Sequence, residues 1–216
     1  MMTPARRHLL RQQAKASVTE SPEFASGYEL MLAKLATDKR RLKMIQSIEH
    51  KIEVKRELLP DYQPWIQGVL SADNPRQDDV LVTVLLWTLD TGDFPAAYPM
   101  AKHAIRHGWQ TPDQYQRQTA CMIAEEVANT SLKQLSAGSF SALESLQALA
   151  ELLASEDMPD QVRARLHKAL GWALAASQPH EALRQFQRAL QLDDNAGVKK
   201  LIEKLERKIR NSGATG

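Results

Sequence analysis

The chain has 216 residues, is 43% hydrophobic and 25% charged, and carries a net charge of +2 at pH 7, values ordinary for one large or two small globular domains. Its one cysteine, Cys121, excludes an internal disulfide and a cysteine-rich metal site and fits a reducing compartment. The N-terminus MMTPARRHLLRQQAKA lacks the apolar core of a signal peptide, and no run reaches the roughly 18 to 20 apolar residues of a membrane span, so a soluble intracellular chain without a membrane partner is expected.

Residues 1–19 read as a short amphipathic helix opening at Thr3-Pro4, with Arg6, Arg7, Arg11 and Lys15 sharing a face. Leu9 and Leu10 supply too little apolar area to fold this piece alone, so it is a docked helix or a mobile arm. Val18 to Gly27 (VTESPEFASG) reads as a linker.

Tyr28 to Leu59 has a helical pattern without internal glycine or proline, and Pro60 is expected to end it. Its apolar residues Tyr28, Met31, Leu35, Leu42, Ile45, Ile48, Ile52 and Leu59 follow nearly a 3.5-residue repeat with one skipped step. Such a helix packs on a second copy or within its own chain. On the first reading Leu35, Leu42, Ile45, Ile48 and Ile52 form an oligomerisation seam. Lys39, Arg40, Arg41, Lys43, Lys51, Lys55 and Arg56 lie on other faces. Trp65, Ile66, Val69 and Leu70 form a short apolar segment that Asp73-Asn74-Pro75 breaks.

The stretch Gln77 to Gly108 reads as two helices. The apolar run Val80 to Leu89 is a buried helix, because Pro75 and Asp78 start it and Thr91-Gly92-Asp93 stops it and caps the next one. Phe94, Ala97, Ala101, Ala104 and Ile105 give that second helix its face, Pro95 suits its first turn, Pro99 delays or kinks its start, and Gly108 closes it. Gln110-Thr111-Pro112-Asp113 caps a further helix with Ala120, Ile123, Ala124, Val127 and Leu132 on one side, running to Gly138. Ser141 to Ala154 is another helix, with Leu143, Leu146, Leu149 and Leu152 near one side. Val162, Leu166, Leu170 and Ala173, then Ala182, Phe186, Ala189 and Leu190, mark a second hairpin that, like the first, resembles a tetratricopeptide hairpin. A basic helix from about Asn195 to Arg210 carries Lys199, Lys200, Lys204, Arg207, Lys208 and Arg210. No segment alternates at period 2 over strand length, so the fold is all-α: a long N-terminal helix plus helical hairpins. The expected organisation is a basic arm and linker over 1–27, a helical oligomerisation core over 28–157, and a hairpin plus basic helix over 158–216.

Charge is uneven along this plan. Residues 1–59 hold 12 Lys/Arg against 7 Asp/Glu, residues 60–160 hold 5 against 14, and residues 161–216 hold 11 against 5. Basic ends suit contact with an anionic polymer, and solvated helix faces are the alternative. Phosphate contacts need only positive charge density, which makes Arg6, Arg7, Arg11, Lys15, Lys39, Arg40, Arg41 and Lys43 the candidate DNA-binding residues. No helix-turn-helix stands out, so base readout is not expected from the pattern.

Catalytic patterns are weak. His103 and His107 have a metal-compatible i, i+4 spacing, but the HExxH glutamate is missing and no third ligand is suggested, so surface or rim histidines are expected. Asp78-Asp79 and Glu125-Glu126 point about 100° apart on a helix and make no acid–base pair. Asp78 and Asp79 suit a first helical turn instead. Glu53-Val54-Lys55 resembles a nuclease ExK motif but sits in a helix rather than a strand. No GxxxxGK[ST] phosphate loop is present. Trp65, Trp87, Trp109 and Trp172 are expected as core or interface anchors. No catalytic residue, metal or cofactor is assigned.

Several islands resemble one family in order along the chain. They are Lys55-Arg56-Glu57-Leu58-Leu59-Pro60, Pro64-Trp65, Gly68-Val69-Leu70, Gln77-Asp78-Asp79, Leu86-Trp87 and Leu89-Asp90-Thr91-Gly92-Asp93. Ala124-Glu125-Glu126-Val127, Met158-Pro159-Asp160, Leu166-His167-Lys168 and Ala196-Gly197-Val198-Lys199-Lys200 follow. Together they resemble the small terminase subunit of Peduovirus-type temperate tailed phages. The resemblance implies a multimeric, ring-like protein that binds double-stranded viral DNA at the cohesive-end region of the concatemer. It also implies recruitment and regulation of a large subunit bearing the ATPase and the nuclease. The expected setting is the host cytoplasm during assembly, outside the mature virion. Members are often labelled endonuclease subunits, so intrinsic cutting is one alternative and a helical-repeat protein scaffold is another. Relatives often continue into a Lys/Arg/Pro-rich tail, while this sequence ends at Gly216. Either it is a short member, or part of the DNA-binding charge is missing and weight shifts to the N-terminal basic segments.

Overall fold

A computed structural model describes residues 3–15, 22–111 and 118–213. The described residues form α-helices and no strand beyond an isolated bridge between Gln110 and Gln118. The chain divides into two compact units, Met1–Thr119 and Ala120–Gly216. The division falls inside the stretch 28–157, and the N-terminal helix belongs to the first unit.

The first unit holds α1 (Pro4–Lys15), α2 (Pro22–Lys43), α3 (Ile48–Ala72), α4 (Asp79–Thr91) and α5 (Phe94–Arg106). Its centre is α4, apolar around almost its whole circumference and buried accordingly from Val80 to Leu85 and again at Trp87, Thr88 and Leu89. Asp78 caps α4 by accepting from the Leu81 N–H at 2.8 Å. Gly92 ends it at φ 82°, its N–H donating to the Leu89 and Thr88 carbonyls. Asp93 then accepts from the Ala96 N–H and opens α5. Phe94, Ala97, Ala101 and Ala104 are buried, as the alanine pattern predicts, and Gly108 turns away at φ 63°. Pro99 neither delays nor prevents the helix, which begins at Phe94 and carries Pro99 inside.

The single helix expected over Tyr28 to Leu59 is two helices. α2 stops at Lys43 after Arg40, Arg41 and Lys43, cations that oppose the negative end of its dipole. Ser47 caps α3 by accepting from the His50 N–H at 3.2 Å, and Glu49 sits in its first turn. Pro60 does not end a helix: α3 runs through both Pro60 and Pro64 to Ala72 and absorbs the segment around Trp65. Each internal proline costs on the order of 3 kcal/mol. Tyr62, Trp65, Ile66 and Val69, all almost fully buried, offset that at roughly 1.5–3 kcal/mol per large apolar side chain. The expected linker is in part the start of α2, from Pro22 to Gly27, while 18–21 lie outside the described residues.

The second unit holds α6 (Thr119–Ser136), whose first residue closes the first unit, then α7 (Leu143–Leu152), α8 (Asp160–Leu174), α9 (Pro179–Leu192) and α10 (Lys199–Gly213). Ala120, Ile123, Ala124 and Val127 are buried as expected, and Leu132 is half-buried. The Pro112-Asp113 cap lies outside the described residues. Leu174, Ala182, Phe186, Ala189, Val198 and Leu205 form the core around α8, α9 and α10. Gly171 lets the Phe186 ring lie against the α8 backbone, since a Cβ there would meet Cδ1 of that ring at 2.7 Å. The last helix starts at Lys199 rather than Asn195, because Gly197 takes φ 70°.

Candidate nucleic-acid interface

The eight candidate cations form two groups, both in the first unit. On α1, Arg6, Arg7 and Arg11 are exposed and flank the stripe of buried Leu10 and Ala14. The helix docks closely: a Cβ at Gly68 of α3 would stand 2.4 Å from Ala14 Cβ and 2.7 Å from the Arg11 carbonyl oxygen. Arg11 also donates from Nη2 to Gln67 Oε1 at 2.5 Å. Of the two readings of this segment, a docked helix is the one observed for residues 4–15. The Lys15 side chain lies outside the described residues.

The second group occupies the C-terminal end of α2. Lys39, Arg40, Arg41 and Lys43 are exposed. Arg40 donates from Nε to the Ala36 carbonyl at 3.3 Å and from Nη2 to Thr37 Oγ1 at 3.2 Å. Arg41 pairs with Glu57 of α3 at 3.2 Å, an exposed pair worth about 0–1 kcal/mol. The structure does not merge the groups. Glu57 marks one and Gln67 the other, about 15 Å apart along α3 at the helical rise per residue. Of the other α3 cations, Lys55 is paired with Asp90 and Arg56 donates to the Thr91 carbonyl at 3.3 Å. These two tie α3 to α4.

The five residues of the expected seam divide. Leu35 and Leu42 are buried inside the unit, so their apolar surface is used within the chain. Ile45 and Ile52 are half-buried. Ile48 is 70% exposed beside Met44 at 82%, and both flank the turn between α2 and α3. Sequence periodicity passes over Met44. The signal that marks the turn is Ser47 followed by Glu49, a start pattern inside what otherwise reads as one helix.

The Asp78-Asp79 pair serves the fold. Asp78 accepts at Oδ2 from the Trp65 indole N–H at 2.9 Å as well as from Leu81. Burial pushes its carboxyl up to about 6, against the hydrogen bonds from Leu81, Trp65 and the Val80 backbone, which favour the charged form. Asp79 donates its backbone N–H to the Tyr28 hydroxyl at 3.1 Å. Burial, the larger cause, pushes the Tyr28 phenol up to about 12. Tyr62 donates to Asp38 Oδ2 at 2.6 Å, and Lys34 pairs with the same oxygen at 2.7 Å while lying 4.5 Å from the Tyr62 ring centre. Burial and then that hydrogen bond raise the Tyr62 phenol. Glu53 of the ExK-like triplet faces His50 at 3.2 Å while Lys55 faces Asp90, so the triplet does not converge.

The histidines depart from expectation. His103 is buried, 6% exposed, and His107 is nearly so. A third group does join them: Asp73, from the end of α3. Asp73 Oδ1 lies 3.3 Å from His107 Nε2 and 3.7 Å from His103 Nδ1, and Arg106 reaches the same carboxylate at 3.1 Å. The hydrogen bond with His107 is the main cause holding the Asp73 carboxyl below its usual range, and burial holds the His103 imidazole below its own. Among the described residues these three make up the group of His, Asp or Glu side chains compact enough for one ion, and no nucleophile–base constellation accompanies it. Contacts spanning 29 to 34 residues build this cluster, so local spacing does not reveal it. No helix among the described residues is long and apolar enough to cross a membrane.

A family model described as phage small terminase subunit matches residues 32–161. The chain is 44% identical over 214 residues to the "Terminase, endonuclease subunit" of Escherichia phage P2, covering 97% of this chain and 87% of that protein. It is 24% identical over 223 residues to the "Probable terminase, endonuclease subunit" of Haemophilus phage HP1 (strain HP1c1), covering 94% and 79%. No solved structure gives a significant match.

Proposed function

We infer the function from one premise: this chain belongs to the phage small terminase subunit family. Its role is that of a small terminase, or endonuclease, subunit in phage DNA packaging. Beyond that role, we propose a non-enzymatic DNA-recognition and adaptor subunit of the Peduovirus type. It binds the cohesive-end region of concatemeric DNA, assembles as a ring-like homo-oligomer, and recruits and regulates the large ATPase–nuclease subunit in the host cytoplasm. The α4–α5 and α8–α9 hairpins act as tetratricopeptide-style scaffolds for those protein contacts.

One observation carries the DNA-binding part. The region matched by the family model begins at residue 32 and takes in the exposed cations Lys39, Arg40, Arg41 and Lys43. They sit together at a helix end, beside exposed Met44 and Ile48, which supply apolar surface for self-association. The α1 arginines, about 15 Å away along α3, act as a separate, auxiliary grip. Each phosphate neutralised contributes about 0.9 to the slope of log affinity against log salt.

The test is fluorescence anisotropy of a cohesive-end duplex between low and moderate salt. The chain is compared with Lys39→Gln/Arg40→Gln/Lys43→Gln and with Arg6→Gln/Arg7→Gln/Arg11→Gln. The first set is expected to weaken binding and lower the slope by about 2 to 3. An unchanged slope in both sets refutes the phosphate-grip reading. Light scattering on the same samples reads the oligomer, and a monomer at all salts and with DNA refutes the ring.

The names of both relatives carry the word endonuclease, which favours a second reading in which this subunit itself cuts DNA. Incubation of the purified chain with Mg²⁺ and cohesive-end DNA, without the large subunit, separates the two. Cutting that disappears on replacing one carboxylate establishes the second reading, and intact DNA leaves the cutting to the complex.

A further inference from the structure

We propose that Asp73, His103 and His107 bind one divalent transition ion of the zinc class, clipping the C-terminal end of α3 to that of α5. The argument begins with the donor orientation. His103 Nε2 lies 3.1 Å from the Asn74 carbonyl oxygen in a buried position. A carbonyl only accepts, so Nε2 carries the proton and Nδ1 presents a lone pair. That Nδ1 faces Asp73 Oδ1 at 3.7 Å. Two lone-pair atoms repel at this distance, and a cation between them turns the contact into an attraction. An imidazole ligand whose other ring nitrogen donates to a backbone carbonyl is the arrangement that orients histidines on metals.

The spacing fits the same chemistry. A tetrahedral ion with ligand bonds of 2.0–2.1 Å separates its donor atoms by about 3.3 Å. Without an ion His107 Nε2 donates its proton to Asp73 Oδ1 at 3.3 Å. The ion takes that proton's place as His107 shifts to the Nδ1–H tautomer, while His103 Nδ1 stands 3.7 Å from the same oxygen and the three residues' ligand atoms all lie within 4.8 Å of one another. Two imidazoles and one carboxylate select zinc-like ions over magnesium or calcium, which prefer oxygen-only sets. The chain supplies three ligands, and with Asp73 52% exposed the fourth is expected to be water.

The backbone supports a built arrangement. Asp73 holds φ 48° and ψ 41°, the positive-φ residue other than glycine among the described residues. Its N–H closes α3 on the Leu70 carbonyl, and this left-handed turn delivers the carboxylate to α5. His107 donates its own N–H to the His103 carbonyl at 3.2 Å, keeping the two rings one helical turn apart. Trp109 packs edge-on against His103 with ring centres 4.9 Å apart and anchors its indole N–H on the Pro75 carbonyl at 2.9 Å. Arg106 is the competing cation, bound to both Asp73 oxygens at 3.2 and 3.1 Å.

The test uses the untagged full-length chain, stripped with chelator and dialysed, and titrated with Co²⁺ and Zn²⁺. Visible absorption reads Co²⁺ coordination, calorimetry reads Zn²⁺, and thermal unfolding reads the clip. One equivalent is expected to bind with a Co²⁺ spectrum typical of four-coordination and to raise the melting temperature, with no response to millimolar Mg²⁺. Asp73→Asn keeps a residue that tolerates the left-handed turn while removing the charge, and His107→Gln removes a ligand near the surface. Each is expected to weaken binding at least ten-fold and to abolish the thermal shift. Arg106→Gln is expected to tighten binding. Far-ultraviolet dichroism checks each fold, and His107→Gln alone decides if Asp73→Asn unfolds. Absence of one-to-one binding, or equal affinity in the folded variants, overturns the proposal.

Discussion

Replacing Asp78 with asparagine isolates a conflict built into the first unit. The carboxylate caps α4, holds the Trp65 indole N–H, and is 3% exposed. Its hydrogen bonds from Leu81, Trp65 and the Val80 backbone favour the charged form and its burial opposes it, with burial prevailing and pushing it up to about 6 from an ordinary value of 3.8. A folded-state value above the unfolded one means that the native state binds more protons in that window. Stability from this group is therefore full below about pH 4 and falls as pH rises through 6. The full window is about 3 kcal/mol at 1.36 kcal/mol per pH unit, and the step from pH 7 to pH 5 recovers about 1 kcal/mol. Asparagine has no such titration. It also offers one acceptor oxygen to two buried donors, leaving an N–H unsatisfied at about 1–3 kcal/mol. Urea unfolding followed by tryptophan fluorescence, on both proteins from pH 5 to 7, gives the difference free of other titrating groups. The deficit of Asp78→Asn is expected to be present at pH 7 and to grow by about 1 kcal/mol at pH 5. A deficit that shrinks on acidification shows that the hydrogen bonds outweigh burial and refutes the reasoning.

Three further outcomes follow from packing and charge. Gly171→Ala places a methyl group 2.7 Å from the Phe186 ring and 3.1 Å from the Ala182 carbonyl, and is expected to lower the stability of the second unit by about 1–3 kcal/mol in thermal unfolding. Gly68→Ala drives a methyl group against Ala14 and the Arg11 backbone, and faster amide hydrogen exchange throughout α1 is expected while α4 stays protected. Neutralising Lys39, Arg40 and Lys43 removes exposed cations from the end of α2, so melting is expected to shift by less than about 1 kcal/mol even where DNA affinity falls.

The parts of the fold legible in the sequence are those set by adjacent residues. Asp78, Gly92, Asp93 and Gly108 each act within four positions, and each does in the structure what its residue type dictates. The turn between α2 and α3 escaped because its stop signal is a run of cations and its start is a serine cap, without glycine or proline. Pro60 works in the opposite direction: it reads as a stop, yet α3 continues through it and through Pro64. The local cost of the two prolines is real, but Tyr62 and Trp65 between and beside them lie at 0% exposure, and that burial decides the helix. The Asp73–His103–His107 cluster was half legible. Helical spacing brought the two histidines to one face, while the carboxylate arrives through a left-handed turn 30 residues earlier that no period in the sequence encodes.

The division of the apolar repeat constrains what self-association can look like. A continuous seam from Leu35 to Ile52 would have let two copies pair along whole helices, as in a coiled coil. Leu35 and Leu42 are instead consumed by the core of their own unit, and the exposed remainder is a short patch at the turn, Met44 and Ile48 flanked by half-buried Ile45 and Ile52. The same turn carries Lys39, Arg40, Arg41 and Lys43. Copies that meet there bring like charges together, a repulsion that weakens as salt screens it. DNA phosphates bound there on the proposed reading would relieve that repulsion more directly than salt, and added salt would release them again. On the proposed reading, assembly and DNA binding are thus linked through one small surface, with DNA favouring the oligomer most strongly at low ionic strength.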